Sequence, residues 1–595
     1  MLSGLTDLAA ARLDQLLADD AVPGRSGEGG GAHTGHRGLA AAVRAAVVVP
    51  LARGERPSPE VAAAAGRWLG RLEDLQTPTG LFGSGDNLQS PPDSSFTVND
   101  VATIVALLRG PAREAWDPRL RERLETVLRR VLPALVAGGV HTPNHRWELA
   151  SALAATGRLL ADDAAIDRAR DWLGEGIDVD ADGLYSERSP NYASAVTGPS
   201  LLTLARELPD ESLAGIVHRN LHATLDLTNP DGRTESHYSR RQDQRALTFP
   251  LGPFLAPLAR FAGTCERCAR GARLALLTPH VDAVGVLALA ALDDDVRSGL
   301  DRAAGVPPRL VPDHGERLFA DARLWRRWRG EEWTVVDGGS DVPATGQIAS
   351  GLAANPTFAR LRRAGVEIAS LRLSRTFFGL GPFRAETLTI EDAENARVGD
   401  VAGAGDVGGL GDGTVDGARV LRLDETVRAG YYQPLAERER RADAVYALEH
   451  EGRFAAAMSF ASREVDELEL RTTIRIADAP DAVVLDIETE GTGAWHALEI
   501  ALASPVVVSG AVALDGHRLR LVDRAWLRAP GSADGLEVVA EPAASTSLPA
   551  EYDPGERYTH LGGTDALGGL RLYAAWSSPG RQRLTFRVAA PTRDG

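Results

Sequence analysis

Two short stretches of this chain carry residue types that could do chemistry together. The first is Asn144-His145 followed by Glu148, and the second is Asp182-Gly183 followed by Tyr185, Glu187, Arg188 and Tyr192. An amide beside an imidazole can hold a carboxylate, with the amide donating and the imidazole adding positive charge when protonated. A tyrosine can take a proton and hand it on if nearby cations lower its pKa from about 10. Plainer roles compete with these. Asn144 after Pro143 could simply cap a helix, and Tyr192 could be a core tyrosine with a satisfied hydroxyl. Tyr185 reads as structural or substrate-contacting, and Glu187 as an ion-pair partner that fixes an arginine or orients His145.

Two further loops resemble this island. Residues 77–100, TPTGLFGSGDNLQSPPDSSFTVND, read as a long polar loop that is either a plain surface loop or one in which Phe82, Asp86, Asn87, Asp93, Ser94 and Phe96 line a sugar-sized cleft. Residues 228–245 supply His237, Tyr238, Arg240, Arg241 and Asp243. Arg188, Arg240 and Arg241 could each grip a carboxylate through two hydrogen bonds. His237 could act as a second base or stabilise a tyrosinate.

The elements that position these loops are helices. From about residue 37 to about residue 305, patterns such as PEVAAAAGRWLGRLEDL and LRERLETVLRRVLPALVAGG repeat apolar residues at helical spacing, broken by Gly, Pro or Asp-Gly. No fixed-period self-similarity is visible, which favours a closed α/α toroid over a solenoid. Residues 1–305 are therefore expected to form a toroid with the catalytic cleft, and 306–330 a linker with one short helix. From 331 to 595, alternating segments such as AVVLDIETEG predict a large antiparallel β-sandwich. The Gly/Asp-rich tract 398–417 does not match a calcium loop.

The chain has 595 residues, enough for two to four domains. Its formal charge of −17 argues against a nucleic-acid partner. It still allows an anionic oligosaccharide or polysaccharide in a locally cationic cleft. All 65 basic residues are arginine, as coding bias would give. The start of the chain reads as an amphipathic helix without signal-peptide character, and no apolar run is long enough to cross a bilayer, so a cytoplasmic location and no membrane partner are expected. Self-association is left open. The cysteines, Cys265 and Cys268, could be half a zinc site, but no second cysteine pair completes it, so they read as thiols on adjacent turns of a helix. No cofactor is required, no metal ligands are assigned, and a structural Zn or Ca in the β domain has no supporting motif.

A toroid followed by a β-sandwich, with Asn144-His145 and then Asp182-Gly183…Glu187…Ser189-Pro190-Asn191-Tyr192, resembles the heparinase II/III-like polysaccharide lyases. The resemblance implies β-elimination at a uronic acid, with Tyr192 as acid/base and Asn144 and His145 neutralising the carboxylate. His237 would assist, and Glu148, Tyr185, Glu187, Arg188, Tyr238, Arg240, Arg241 and Asn87 would contact substrate. The sequence departs from the family after Pro230-Asp231-Gly232, where Arg233 onward replaces a GDS-like segment. In the β half, His450, His496, His517 and His560 match no family motif. A glycoside hydrolase using a carboxylate pair and a non-catalytic carbohydrate-binding protein are the alternatives. A cytoplasmic lyase would be expected to act exolytically on imported oligosaccharides.

Overall fold

The computed structural model describes residues 1–20, 35–83, 88–346, 351–391, 418–450, 455–503, 505–556 and 567–589. Contacts divide the chain into two compact units. One is Met1–Glu235 with Thr248–Val311, and the other is Ser236–Leu247 with Pro312–Gly595.

The first unit is helical. Its elements are α1 (Leu2–Asp20), α2 (His36–Arg53), α3 (Pro59–Asp74), α4 (Pro91–Arg109), α5 (Pro118–Ala137), α6 (Pro143–Leu160) and α7 (Asp163–Leu173). The short α8 (Pro190–Tyr192) runs through a π-helical turn, Ala193–Thr197, into α9 (Gly198–Glu207). Then come α10 (Glu211–Asp226), α11 (Leu255–Ala262), α12 (Glu266–Ala275), α13 (Ala283–Leu292) and α14 (Asp294–Ala304).

Proline follows the capping residue at Pro59, Pro91, Pro118, Pro143 and Pro190. There its missing N–H leaves no hydrogen bond unmade. Helices α2, α4, α6, α9, α11 and α13 pack each on the next, and α13 returns to α2, so the inner ring closes. Inner helices α2 and α6 bury residues on nearly every face, from Leu39 to Pro50 and from Trp147 to Gly157. The outer helices keep one charged face, as α5 does. This is the expected α/α toroid.

One turn recurs at the rim. Gln76 bridges Phe82, Val179 bridges Tyr185, and Thr228 bridges Thr234. In each, a glycine sits at positive φ: Gly80 at 90°, Gly183 at 90° and Gly232 at 81°. Each of these glycine N–H groups bonds the carbonyl three residues back, at 2.9, 3.1 and 2.9 Å. A side chain cannot replace the hydrogen at Gly80, because its Cβ would lie 2.0 Å from the Arg130 carbonyl oxygen. The three turns follow outer helices α3, α7 and α10. They therefore lie at the mouth where the inner helices begin.

Residues 91–100 correct an expectation. They form the first turns of α4, with Ser90 as N-cap accepting from the Asp93 N–H at 3.2 Å, so Asp93, Ser94 and Phe96 are helical. The region 228–250 also holds a two-stranded ribbon, Arg233–Glu235 with Thr248–Pro250, which the helical reading missed.

The second unit holds an eight-stranded and a nine-stranded sheet over one apolar core that includes Trp325, Leu371, Ile474 and Phe586. Pairing within them is antiparallel except where Arg518–Arg520 runs parallel to Arg571–Ser577. The sandwich begins earlier than expected. His314–Phe319 and Leu324–Arg329 pair as strands, where a linker with a short helix was foreseen. The stretch LWRRWR misleads because Arg326 is buried in the sheet, 1% exposed, which breaks the polar-out alternation. Residues 398–417 and Asp86, Asn87 and His560 lie outside the described residues.

Candidate active site

The first turns of α6 carry Asn144, His145 and Glu148. Thr142, not Asn144, takes the N-cap position of α6. Its hydroxyl donates to Asn144 Oδ1 at 2.8 Å, which sets the amide so that Nδ2 is its remaining donor. Asn144 is 2% exposed, and Nδ2 has no hydrogen-bond partner among the described residues. A buried amide donor left unmade costs free energy that a bound acceptor recovers. His145 follows directly. Its ring meets Phe96 of α4 edge-on at 6.3 Å and His141 at 4.8 Å.

Helix α2 adds a cation. The Arg37 guanidinium lies 3.7 Å above the Phe96 ring and pairs with Asp93, with its side chain 48% exposed. Asp93 also accepts from His36 Nε2 at 3.0 Å. Burial alone would raise the Asp93 carboxyl, but His36 and Arg37 outweigh it and hold the group below its usual range. Asp93 is therefore a fixed anion that holds the Arg37 guanidinium and the His36 ring in place, and Asn99 and Arg37 are site residues that the sequence does not single out. The polar pair Asn99-Asp100 inside the apolar run of α4 was the available signal.

One turn further along α6, Glu148 is buried. It accepts from Asn99 Nδ2 at 2.7 Å and from Ser200 Oγ at 3.1 Å. Burial pushes its carboxyl up to about 7, against those hydrogen bonds and the charge of Arg37. Glu148, Asn99, Ser200, Arg37, Arg44 and Asp100 line a cavity of about 710 Å³ inside the ring. Glu148 is thus a polar wall of the lumen.

Tyr192 ends α8, with Ser189 Oγ accepting from its N–H at 3.1 Å. The π-helical turn that follows packs on α6, and Ser194 within it reaches the lumen. Single π turns often mark functional positions because they re-aim the side chains around them. Arg188 just before α8 holds a φ of 53°, a left-handed conformation rare outside glycine. Glu187 and Arg188 are buried.

Tyr185 is 5% exposed within the helical core. Burial and the charge of Asp178 raise its hydroxyl well above the usual tyrosine value. That assigns it to the rim turn and away from proton transfer. Arg146 pairs with Glu175 and Asp178 at 3.0 and 3.1 Å, so it serves the scaffold.

The third loop behaves differently. His237, Tyr238, Arg240 and Arg241 belong to the second unit. Arg240 makes a two-pronged pair with Asp341 at 2.8 and 2.9 Å, so its grip is used within the protein. His237 is fully buried, 4.0 Å from Asp337 and beside the Tyr238 ring at 6.1 Å.

No protein-family model matches the chain, and no curated protein matches its sequence. Solved structures do match its fold. Chondroitin AC lyase of Streptomyces coelicolor A3, solved with chondroitin sulphate, superposes with a TM-score of 0.52 at 15% identity, covering 99% of this chain and 80% of that one. Paenibacillus xanthan lyase superposes with a TM-score of 0.54 at 11% identity, covering 98% of this chain and 57% of that one. The likeness is one of fold: this chain has the toroid-and-sandwich architecture that both polysaccharide lyases have.

Proposed function

We propose that the chain is a lyase that cleaves a uronic-acid-containing glycan by β-elimination. The observation that carries this reading is the buried, unpartnered Asn144 Nδ2 beside His145 at the start of α6. Helix N-termini favour anions, and the inner helices bring theirs to one mouth together with Arg37. A uronate carboxylate there would accept from Asn144 and His145. The fold shared with two polysaccharide lyases agrees with this reading.

The proton on C5 is weakly acidic while the carboxylate beside it is anionic, so hydrogen bonds placed in advance must hold the enolate that forms. Tyr192, as its phenolate, takes the C5 proton. The electron pair left on C5 then forms the C4–C5 double bond as the C4–O bond breaks, and Tyr192 returns its proton to the leaving oxygen. One residue thus supplies base and acid, and the products are an unsaturated uronate and a new sugar hydroxyl.

The test is a panel of uronate-containing glycans followed by ultraviolet absorbance of the product. Growth of the unsaturated-uronate band is expected. Cleavage that yields reducing sugar with no such band would assign hydrolysis instead. One observation favours that second reading: Glu148, with its carboxyl at about 7, has the protonation of a general acid.

A further inference from the structure

Two side-chain pairs distant in sequence meet on the outer ring. Helix α10 carries His218 and His222 one turn apart on one face. Cys265 is the N-cap of α12, its Sγ accepting from the Cys268 N–H at 3.5 Å. The cysteines are thus a cap and a first-turn residue, not thiols on adjacent turns. His222 Nε2 lies 3.3 Å from Cys265 Sγ across 43 residues of sequence, and the two imidazole rings stand edge to face at 4.5 Å. One ligand atom from each of the four residues lies within 4.8 Å of the others, and both thiols are free.

This geometry fits one ion. Nitrogen at about 2.1 Å and sulfur at about 2.3 Å from a tetrahedral zinc stand roughly 3.3–3.8 Å apart. Small side-chain rotations close the present spacing to that range. His218 Nε2 is buried with no hydrogen-bond partner among the described residues, a cost that a metal bond removes. The backbone is already tight at this point. A Cβ on Gly271 of α12 would lie 2.8 Å from Leu225 of α10, and Arg267 pairs with Asp226 across the same two helices.

We propose that His218, His222, Cys265 and Cys268 bind one zinc ion in a closed tetrahedral site that staples α10 to α12. The set offers two thiolates and two imidazoles and no oxygen, which selects zinc over calcium or magnesium. All four positions are filled by protein, so the site is structural. None of the four lines the ring cavity, which keeps the staple separate from the proposed chemistry.

The full chain, purified under reducing conditions without added metal, should carry about one zinc per chain by mass spectrometry of the elements. Cobalt exchanged into it should show the visible bands of a tetrahedral site with thiolate charge transfer. A Cys265→Ser, Cys268→Ser double variant should lose the metal. Should that variant fail to fold, a mercurial titration of the wild-type thiols should release the zinc in step with thiol capture. A folded wild-type chain with two reactive thiols and no bound metal would overturn the proposal. So would a Cys265–Cys268 disulfide by mass, copper in place of zinc, or zinc retained by the folded double variant. None of these readouts depends on activity, so the outcome is independent of the lyase assignment.

Discussion

Asn99 Nδ2 donates to Glu148 Oε1 at 2.7 Å, tying α4 to α6 through a carboxyl that burial has pushed up to about 7. Unfolded, a glutamate titrates near 4.3. Between those values the folded state holds the extra proton, so stability falls as pH rises through this window. Glu148→Gln keeps an oxygen to accept from Asn99, turns an amide donor toward the Ser200 hydroxyl, and removes the titration. Its stability relative to wild type should rise from about pH 4.5 and level off above about pH 7, with a gain on the order of 4 kcal/mol. Urea midpoints at several pH values measure this, and a constant difference across the range would refute it.

Tyr192→Phe removes the proposed proton carrier and leaves the ring in place. It should lower kcat by about 10²–10⁴-fold with Tm nearly unchanged. Asn144→Ala removes an amide that would act chiefly on the enolate, and a loss of about 10²–10³-fold in kcat is expected. Initial rates of product absorbance decide both. If either variant matched wild type on an accepted glycan, that residue would have no role in the reaction.

The rim turn gives a stability prediction free of any assumption about chemistry. Gly80→Ala sets a Cβ against the Arg130 carbonyl oxygen at 2.0 Å and at a φ of 90°. A loss of about 2–4 kcal/mol is expected. Gly183→Ala, whose nearest contact is the Arg219 carbonyl oxygen at 3.0 Å, should cost less. Reversal of that order in chemical denaturation would contradict the geometry.

In the second unit, Asp478 is fully buried and accepts from Arg363 Nη2 at 2.5 Å and Thr334 Oγ1 at 2.7 Å. Asp478→Asn leaves buried Arg363 with only the more distant Glu332 carboxylate at 3.9 Å and takes the counter-ion from Arg327 and Arg329, which typically costs about 3–5 kcal/mol. An Arg363→Met, Asp478→Leu double variant should be less destabilised than the single one. A double variant worse than the single would show that the pair is net stabilising.

The halves of the fold were legible because helix and strand periodicities differ so plainly between VLRRVLPALV and AVVLDIETEG. Their border was not, because Arg326 sits inside the sheet and reads from sequence as surface. Asn144, His145 and Tyr192 stood out by residue type, and the structure puts them at the starts of α6 and the α8–α9 segment. Arg37 and Asn99 were hidden because their roles arise from neighbours on other helices. The His218–Cys265 approach was hidden for the same reason, since it exists only once α10 and α12 pack. The recurrent rim turn leaves no fixed period in the sequence because Gly80, Gly183 and Gly232 are unevenly spaced.

The return of α13 to α2 has a consequence for how the helical unit comes apart. An open stack of helical hairpins can fray from its terminal repeats, each loss weakening only one neighbour. A hoop has no terminal repeat, so removing any hairpin deprives two others of their partners at once. Hydrogen exchange in the inner helices should therefore collapse onto one shared opening free energy instead of grading from end to middle.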